Sequence, residues 1–232
     1  MKKLLLSSLI ISSLVGCSSS VSTPNLDQFS HHSGGKSMGD ATSFYWYTER
    51  LSQSYTAGDY VFSGDYGWYK TDYRWNEGEV RELIREGEQI RQDVGLVPYR
   101  VHVRFNVKGE AVYQQYRIDD KVLPINEEQL LRYQQEAKSV AEVTKEFSRD
   151  GIELIQGYWD GSRFESCGGQ SYEGIEFNQT LPGFVVNRLA EFDSYVAVLG
   201  KIRSNKVIIE DLLMLNSDSH DCVERPRLIE SN

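Results

Sequence analysis

The chain has 232 residues, with 25 Lys and Arg against 34 Asp and Glu, for a net charge of −9. So acidic a protein makes a poor partner for nucleic acid, whose phosphates need a basic surface. It is also repelled by anionic lipid headgroups. With only three cysteines and four histidines, residues for metal or nucleophilic chemistry are few.

The first residues, MKKLLLSSLIISSLVGC, set Lys2 and Lys3 before an apolar run from Leu4 to Val15. The run is too short to span a membrane, which takes ~20 residues, and it fits a secretory signal over residues 1–16. Leu14-Val15-Gly16-Cys17 resembles the lipobox of bacterial lipoproteins. That resemblance implies a diacylglyceryl group on the Cys17 thiol, cleavage before it and a further acyl chain on the freed amine. Two or more chains anchor stably, since each buried CH₂ contributes ~0.8 kcal/mol. Ser18, where inner-membrane lipoproteins carry Asp, implies the periplasmic face of the outer membrane. Cleavage removes Lys2 and Lys3, taking the net charge from −9 to −11.

Residues 17–41 are rich in Ser and Gly and predict a lipidated, flexible tether that includes His31-His32. Between Phe44 and Trp75 stand twelve of the chain's aromatics. With turn signals at AGD, SGD and NEG, they predict hairpins. Trp46, Trp68, Tyr69 and Trp75 are the candidate ligand-binding rings; the alternative is that the aromatics divide between a core and an outer face. Glu79–Ile90 suits a strand better than a helix. In YRVHVRFNVKGEAVYQQYRI the alternation predicts a hairpin turning at Lys108-Gly109, with Val101 opposite Tyr116, Val103 opposite Gln114 and Phe105 opposite Val112. Asn126 as N-cap, apolar residues at helical spacing from Leu130 to Phe147 and a stop at Asp150-Gly151 predict one long amphipathic helix over 126–150.

After Gly151, five strand-like runs follow: IELIQGYWDGSRFESC, YEGIEFN, GFVVNRLAEF, SYVAVLGKI and KVIIEDLLML. They suit a small OB-like barrel over 151–232, after an antiparallel sheet plus helix over 42–150. The class is α+β, mostly antiparallel β. With Cys17 taken by lipid, Cys167 and Cys222 are an even pair in a compartment that permits disulfides. A structural disulfide is the favoured reading, with free thiols, metal binding or catalysis as alternatives.

Gly157-Tyr158, Phe164, Cys167-Gly168-Gly169 and Cys222 resemble the C-terminal OB-type domain of NlpE-like envelope lipoproteins. The first half departs from that family, whose N-terminal barrel carries Cys-x-x-Cys, because residues 42–150 contain no cysteine. YRWNEGEVRELIREGEQ and VPYRVHVRFNVKGEAVYQQYRIDDKVLPIN resemble the YjaH-type lipoproteins, a resemblance that implies no activity.

No histidine, acid and hydroxyl order recommends a triad, and no phosphate loop follows a strand. Asp160 and Asp119-Asp120 read as turn residues. The expectation is a lipid-anchored outer-membrane protein with a non-catalytic binding or sensing role, without cofactor or metal. Its partners would be an envelope protein, a lipid or a glycan. The alternatives are a carrier resembling the LolB type, holding an amphiphile in an aromatic half-barrel, and an enzyme acting on envelope glycans.

Overall fold

The protein is described by a computed structural model over residues 28–119 and 121–230. The signal segment, Cys17, Ser18 and Asp120 lie outside the described residues.

Eight antiparallel strands form the first sheet in chain order: β1 (Phe29–Met38), β2 (Ala41–Arg50), β3 (Gln53–Phe62), β4 (Gly67–Asn76), β5 (Glu79–Arg91), β6 (Gly95–Phe105), β7 (Ala111–Ile118) and β8 (Lys121–Leu123). The sheet curls as a half-barrel around α1 (Glu127–Arg149), which packs mainly on β1, β2 and β3. Tyr45 and Tyr47 of β2, Ala57 and Asp59 of β3 and Tyr69 to Trp75 at odd positions of β4 face the helix, while a bulge in β3 turns Tyr55 to the other face. Tyr47, Ala57, Tyr73, Trp75, Leu83, Val101 and Val103 form a buried core there with Ala137, Val140 and Ala141.

Helix α1 follows the sequence closely. Asn126 Oδ1 accepts from the Gln129 amide at 2.8 Å, while Gln129 Oε1 accepts from the Asn126 amide at 3.1 Å, a complete capping box. Gly151 takes φ +68°, ending the helix where the left-handed region favours glycine.

The second sheet has the order β11-β10-β9-β13-β14-β12, from β9 (Glu153–Trp159), β10 (Phe164–Ser166), β11 (Ser171–Tyr172), β12 (Ile175–Phe177), β13 (Ser194–Arg203) and β14 (Lys206–Ser217). It is antiparallel except where β12 runs parallel to β14. The run GFVVNRLAEF, expected as a strand, is instead helix α2 (Gly183–Glu191), whose Val185 and Leu189 lie one turn apart and seat in the core. With a helix in that place the strands pair in an open order ending at β11 and β12, not the five-stranded barrel expected.

The layers are therefore α1, first sheet, second sheet and α2. Tyr195, Ala197 and Leu199 of β13 meet Phe44 of β2 between the sheets, while Val196 and Val198 face α2. The parts expected to divide at residue 150 thus share a core.

Two local expectations are corrected. The tether over 17–41 gives way, from Phe29, to β1, paired with β2 along its whole length. Its glycines are required by packing: a Cβ on Gly34 would stand 2.7 Å from Phe147 Cδ2, and one on Gly35 2.6 Å from both Leu213 Cδ1 and the Ser43 carbonyl. In the β6–β7 hairpin, Val101 and Val103 pair with Tyr116 and Gln114 as expected, but a bulge sets Phe105 opposite Ala111. Asn106 causes the shift, since its Oδ1 accepts from the amides of Lys108 and Glu110 and widens the turn.

Candidate functional site

The four candidate rings do not converge on one surface. Tyr69 and Trp75 face α1; Trp75 is 4% exposed and stands edge-on to Tyr47, a core residue. Trp46 and Trp68 face the other way. Trp46 stands edge-on to Phe44 between the sheets, and Trp68 stacks on Tyr60 and donates to Glu88 at 3.0 Å. An alternating strand sends neighbouring side chains to opposite faces, and these rings stand on both.

The helix-side face carries a buried polar network. Arg85 of β5 donates to Thr71 Oγ1 (2.8 Å), the Tyr73 hydroxyl (3.2 Å) and Glu136 Oε2 of α1 (2.7 Å), with Asp59 Oδ2 at 4.0 Å. Its guanidinium also lies 4.0 Å from the Tyr69 ring centroid. Burial raises the Asp59 carboxyl above the ordinary aspartate value, against the attraction of Arg85. Desolvation likewise lifts the Tyr69, Tyr73 and Tyr99 hydroxyls, so all three stay protonated and donate or pack without charge. The space left beside this network, between Arg85, Tyr99, Tyr116 and Tyr133, is only about 180 Å³.

A second helix-side opening, of about 630 Å³, lies between Tyr47 and Trp75 of the sheet and Lys138, Ala141 and Lys145 of α1. On the opposite face the C-terminal tail crosses from the second sheet to the first. The disulfide Cys167–Cys222, with Cα atoms 6.1 Å apart, pins the start of the tail to the turn after β10. Gln156 of β9 holds the next residue, accepting from the Val223 amide at 3.0 Å and donating to its carbonyl at 3.1 Å. Pro226 then lies against Gly58, where a Cβ would stand 3.0 Å from the Pro226 ring. Farther on, the amides of Leu228 and Ile229 both donate to Asp72 Oδ2 at 2.9 Å.

Under this tail Arg225 donates to Thr48 Oγ1 at 2.6 Å and Thr56 Oγ1 at 2.7 Å. The Thr48 hydroxyl also lies within hydrogen-bond distance of His31 Nδ1, at 3.1 Å. Arg74 donates to the Glu230 carbonyl at 2.7 Å. Arg74, Arg225, Arg227 and His31 line a cleft of about 450 Å³, which adjoins a second of about 580 Å³ reaching Trp46 and Glu153. Burial holds the Arg225 pKa below the ordinary arginine value; Asp72 opposes this and Arg227 adds to it. Sequence reading passed over these groups because Thr48 and Arg225 are 177 positions apart. The one local signal was the pair of arginines in ERPR within an acidic chain.

The remaining singled-out residues are structural in their contacts. His32 lies near Glu49 (3.5 Å) and stacks on Tyr47, so it is not a solvated linker residue. His102 bonds Glu82 across β5–β6 at 2.7 Å, and His220 stacks on Tyr195. Asp160 Oδ1 accepts from the amides of Ser162 and Arg163, which hold its carboxyl below the ordinary value. Asp119 pairs with Arg91 at 2.9 Å. Among the described residues no three His, Cys, Asp or Glu side chains form a metal-binding group, and no helix is long and apolar enough to cross a membrane.

These features define an α+β protein of two packed, largely antiparallel sheets, with a disulfide-pinned tail over a cationic cleft. The chain belongs to a family described as protein of unknown function (DUF1481), whose model matches residues 33–227. No curated protein and no solved structure matches it.

Proposed function

We propose that the protein is a non-catalytic binding or sensing lipoprotein of the cell envelope, anchored through Cys17 on the periplasmic face of the outer membrane. The observation that carries this reading is the tail pinned by Cys167–Cys222 across the first sheet. It gives the cleft a fixed wall, and a structural disulfide of this kind is characteristic of an oxidising compartment. The YjaH-type resemblance is compatible with a family of unknown function. The placement of the two cysteines agrees with the NlpE-like resemblance, although the open sheet and α2 depart from an OB barrel.

Metabolic palmitate labelling with membrane fractionation tests the address. Wild-type protein should take label and float with outer membrane, and Cys17→Ala should do neither. A crosslinking pull-down from envelope extracts tests the binding role.

The LolB-like carrier is the second reading, favoured by the eight-stranded meander curled around one long helix. The space of about 180 Å³ beside Arg85 is below the ~300–1,000 Å³ of ligand pockets. An acyl chain beside Arg85 would have to displace α1 and break Arg85–Glu136, whereas the helix-side opening of about 630 Å³ at Trp75 has the volume for a ligand but is lined by the charged Lys138, Glu142 and Arg149. Native mass spectrometry separates the readings: co-purified lipid supports the carrier, and a clean apo mass counts against it.

A further inference from the structure

We propose that the cleft under the C-terminal tail, built by Arg74, Arg225, Arg227 and His31, binds a phosphate monoester or another doubly charged oxyanion. The inference rests on the reading of this protein as a binding module and names the ligand class.

Three observations converge on it. The first is charge. Acids outnumber Lys and Arg by 34 to 25 in the chain, yet among the described residues none of these three arginines has a carboxylate oxygen within ion-pair distance. Among the described residues six arginines, Arg85, Arg91 and Arg100 among them, pair with carboxylates, while others such as Arg50 and Arg117 do not; what sets the cleft apart is that three arginines without a carboxylate partner line one opening. The nearest acid in the cleft, Asp72, already accepts two tail amides.

The second is preorganisation. Arg225 is held by two threonine hydroxyls, neutral acceptors that fix the guanidinium plane without cancelling its charge. A cation that is partly desolvated, oriented and without a directly bonded carboxylate is costly for folding alone and favourable once an oxyanion arrives.

The third is number. One carboxylate would satisfy one guanidinium. Arg225 and Arg227 together, with Arg74 and His31 beside them, match a dianion. Guanidinium forks suit phosphate geometry, and a cleft of about 450 Å³ leaves room for an organic portion against Phe29 and Tyr55, whose ring centroids lie 5.7 Å apart at the rim.

The phosphate could belong to a soluble ester or to a lipid headgroup.

The test is calorimetric titration of the full-length, disulfide-intact protein in neutral detergent with inorganic phosphate, glycerol 3-phosphate, dihexanoyl phosphatidic acid and acetate. The expected result is saturable binding of the three phosphates, with acetate at least about tenfold weaker. Arg225→Gln and Arg227→Gln should each weaken phosphate binding about tenfold, the loss of one charge-assisted fork. Arg227 is exposed and makes no side-chain bond among the described residues, so Arg227→Gln keeps the test sound even if Arg225→Gln unfolds. Tighter binding of phosphatidic acid than of glycerol 3-phosphate assigns the site to a lipid headgroup, and equal binding to a soluble ester. No phosphate binding, acetate binding as tightly, or an Arg227→Gln variant that binds as wild type each overturns the proposal. A partner still retained in the envelope pull-down would then leave the binding reading standing without this ligand.

Discussion

Glu136 on α1 accepts from Arg85 on β5 at 2.7 Å, so the helix is held in the half-barrel by charge as well as by apolar packing. Arg85 is also the cation nearest the buried Asp59. Arg85→Met should therefore strand a buried carboxylate and cost about 3–5 kcal/mol. Glu136 is about a third exposed, so Glu136→Gln should cost only about 1 kcal/mol. Urea unfolding of both variants checks the order. If Glu136→Gln proved the costlier, Arg85 would not be the centre of the network.

Asp59 and Glu49 should give stability profiles of opposite sign. Burial raises the Asp59 carboxyl above 3.8, more than Arg85 lowers it. The native state then binds this proton more tightly than the unfolded chain, and stability falls as pH rises from 3.8 through the folded value. Burial also acts to raise Glu49, but Lys145 and His32 outweigh it, and its folded value lies below 4.5. Glu49 contributes stability above 4.5 that is lost as pH falls through the folded value. Unfolding free energies should show the wild type losing ground to Asp59→Asn as pH rises and gaining on Glu49→Gln. Slopes of the same sign would refute the assignment.

Gly35→Ala should destabilise more than Gly34→Ala. The new Cβ at 35 meets a backbone carbonyl of the partner strand at 2.6 Å, which cannot give way without breaking β1–β2. At 34 the obstacle is the Phe147 ring, which can shift. About 2–3 kcal/mol against about 1 is expected from overpacking. Thermal melts of the two variants decide it, and equal losses would mean that β1 is not clamped between α1 and β14.

The same glycines show what the sequence could and could not tell. Local rules served α1, where cap, spacing and stop all lie within 26 residues, and served β5 to β7, where alternation fixes the faces. They failed at β1 because Ser-Gly-Gly reads identically whether chain is slack or squeezed between Phe147 and Leu213. They failed at Ala57-Gly58-Asp59, a turn by composition but the middle of β3, because Gly58 accommodates Pro226 from the far end of the chain. The actual turn between β2 and β3 is Leu51-Ser52, both with positive φ, which residue preference does not suggest. Helix α2 was missed because two valines and a short span look like a strand. The cleft was out of reach altogether, since its hydroxyls come from β2 and β3 and its cations mostly from the tail.

The tryptophans on the two faces should separate by stability. Trp75→Ala removes a nearly fully buried ring from the core under α1 and should cost about 3–5 kcal/mol. Trp68→Ala loses stacking on Tyr60 and one bond to Glu88 at a partly exposed position, about 1–2 kcal/mol. Chemical denaturation measures both. A Trp75→Ala variant as stable as wild type would argue that this ring lines accessible space instead of core.

Reduction of Cys167–Cys222 should act first on the tail. The bond closes a loop of 55 residues, and the chain-entropy view gives such a loop roughly 4 kcal/mol. Only part of that is felt locally, because Gln156, Pro226 and Asp72 also hold the tail. With Cys222→Ser, the amides of Leu228 and Ile229 should lose exchange protection well before those of β13, whose residues Ser194–Gly200 are buried. The Arg225 bonds to Thr48 and Thr56 should loosen with them, so the cleft is lost while the two sheets stay folded. Hydrogen exchange read residue by residue distinguishes this from global destabilisation. If the amides of Leu228 and Ile229 keep their protection in Cys222→Ser, the non-covalent contacts of the tail suffice to hold it, and the disulfide is not what fixes the wall of the cleft.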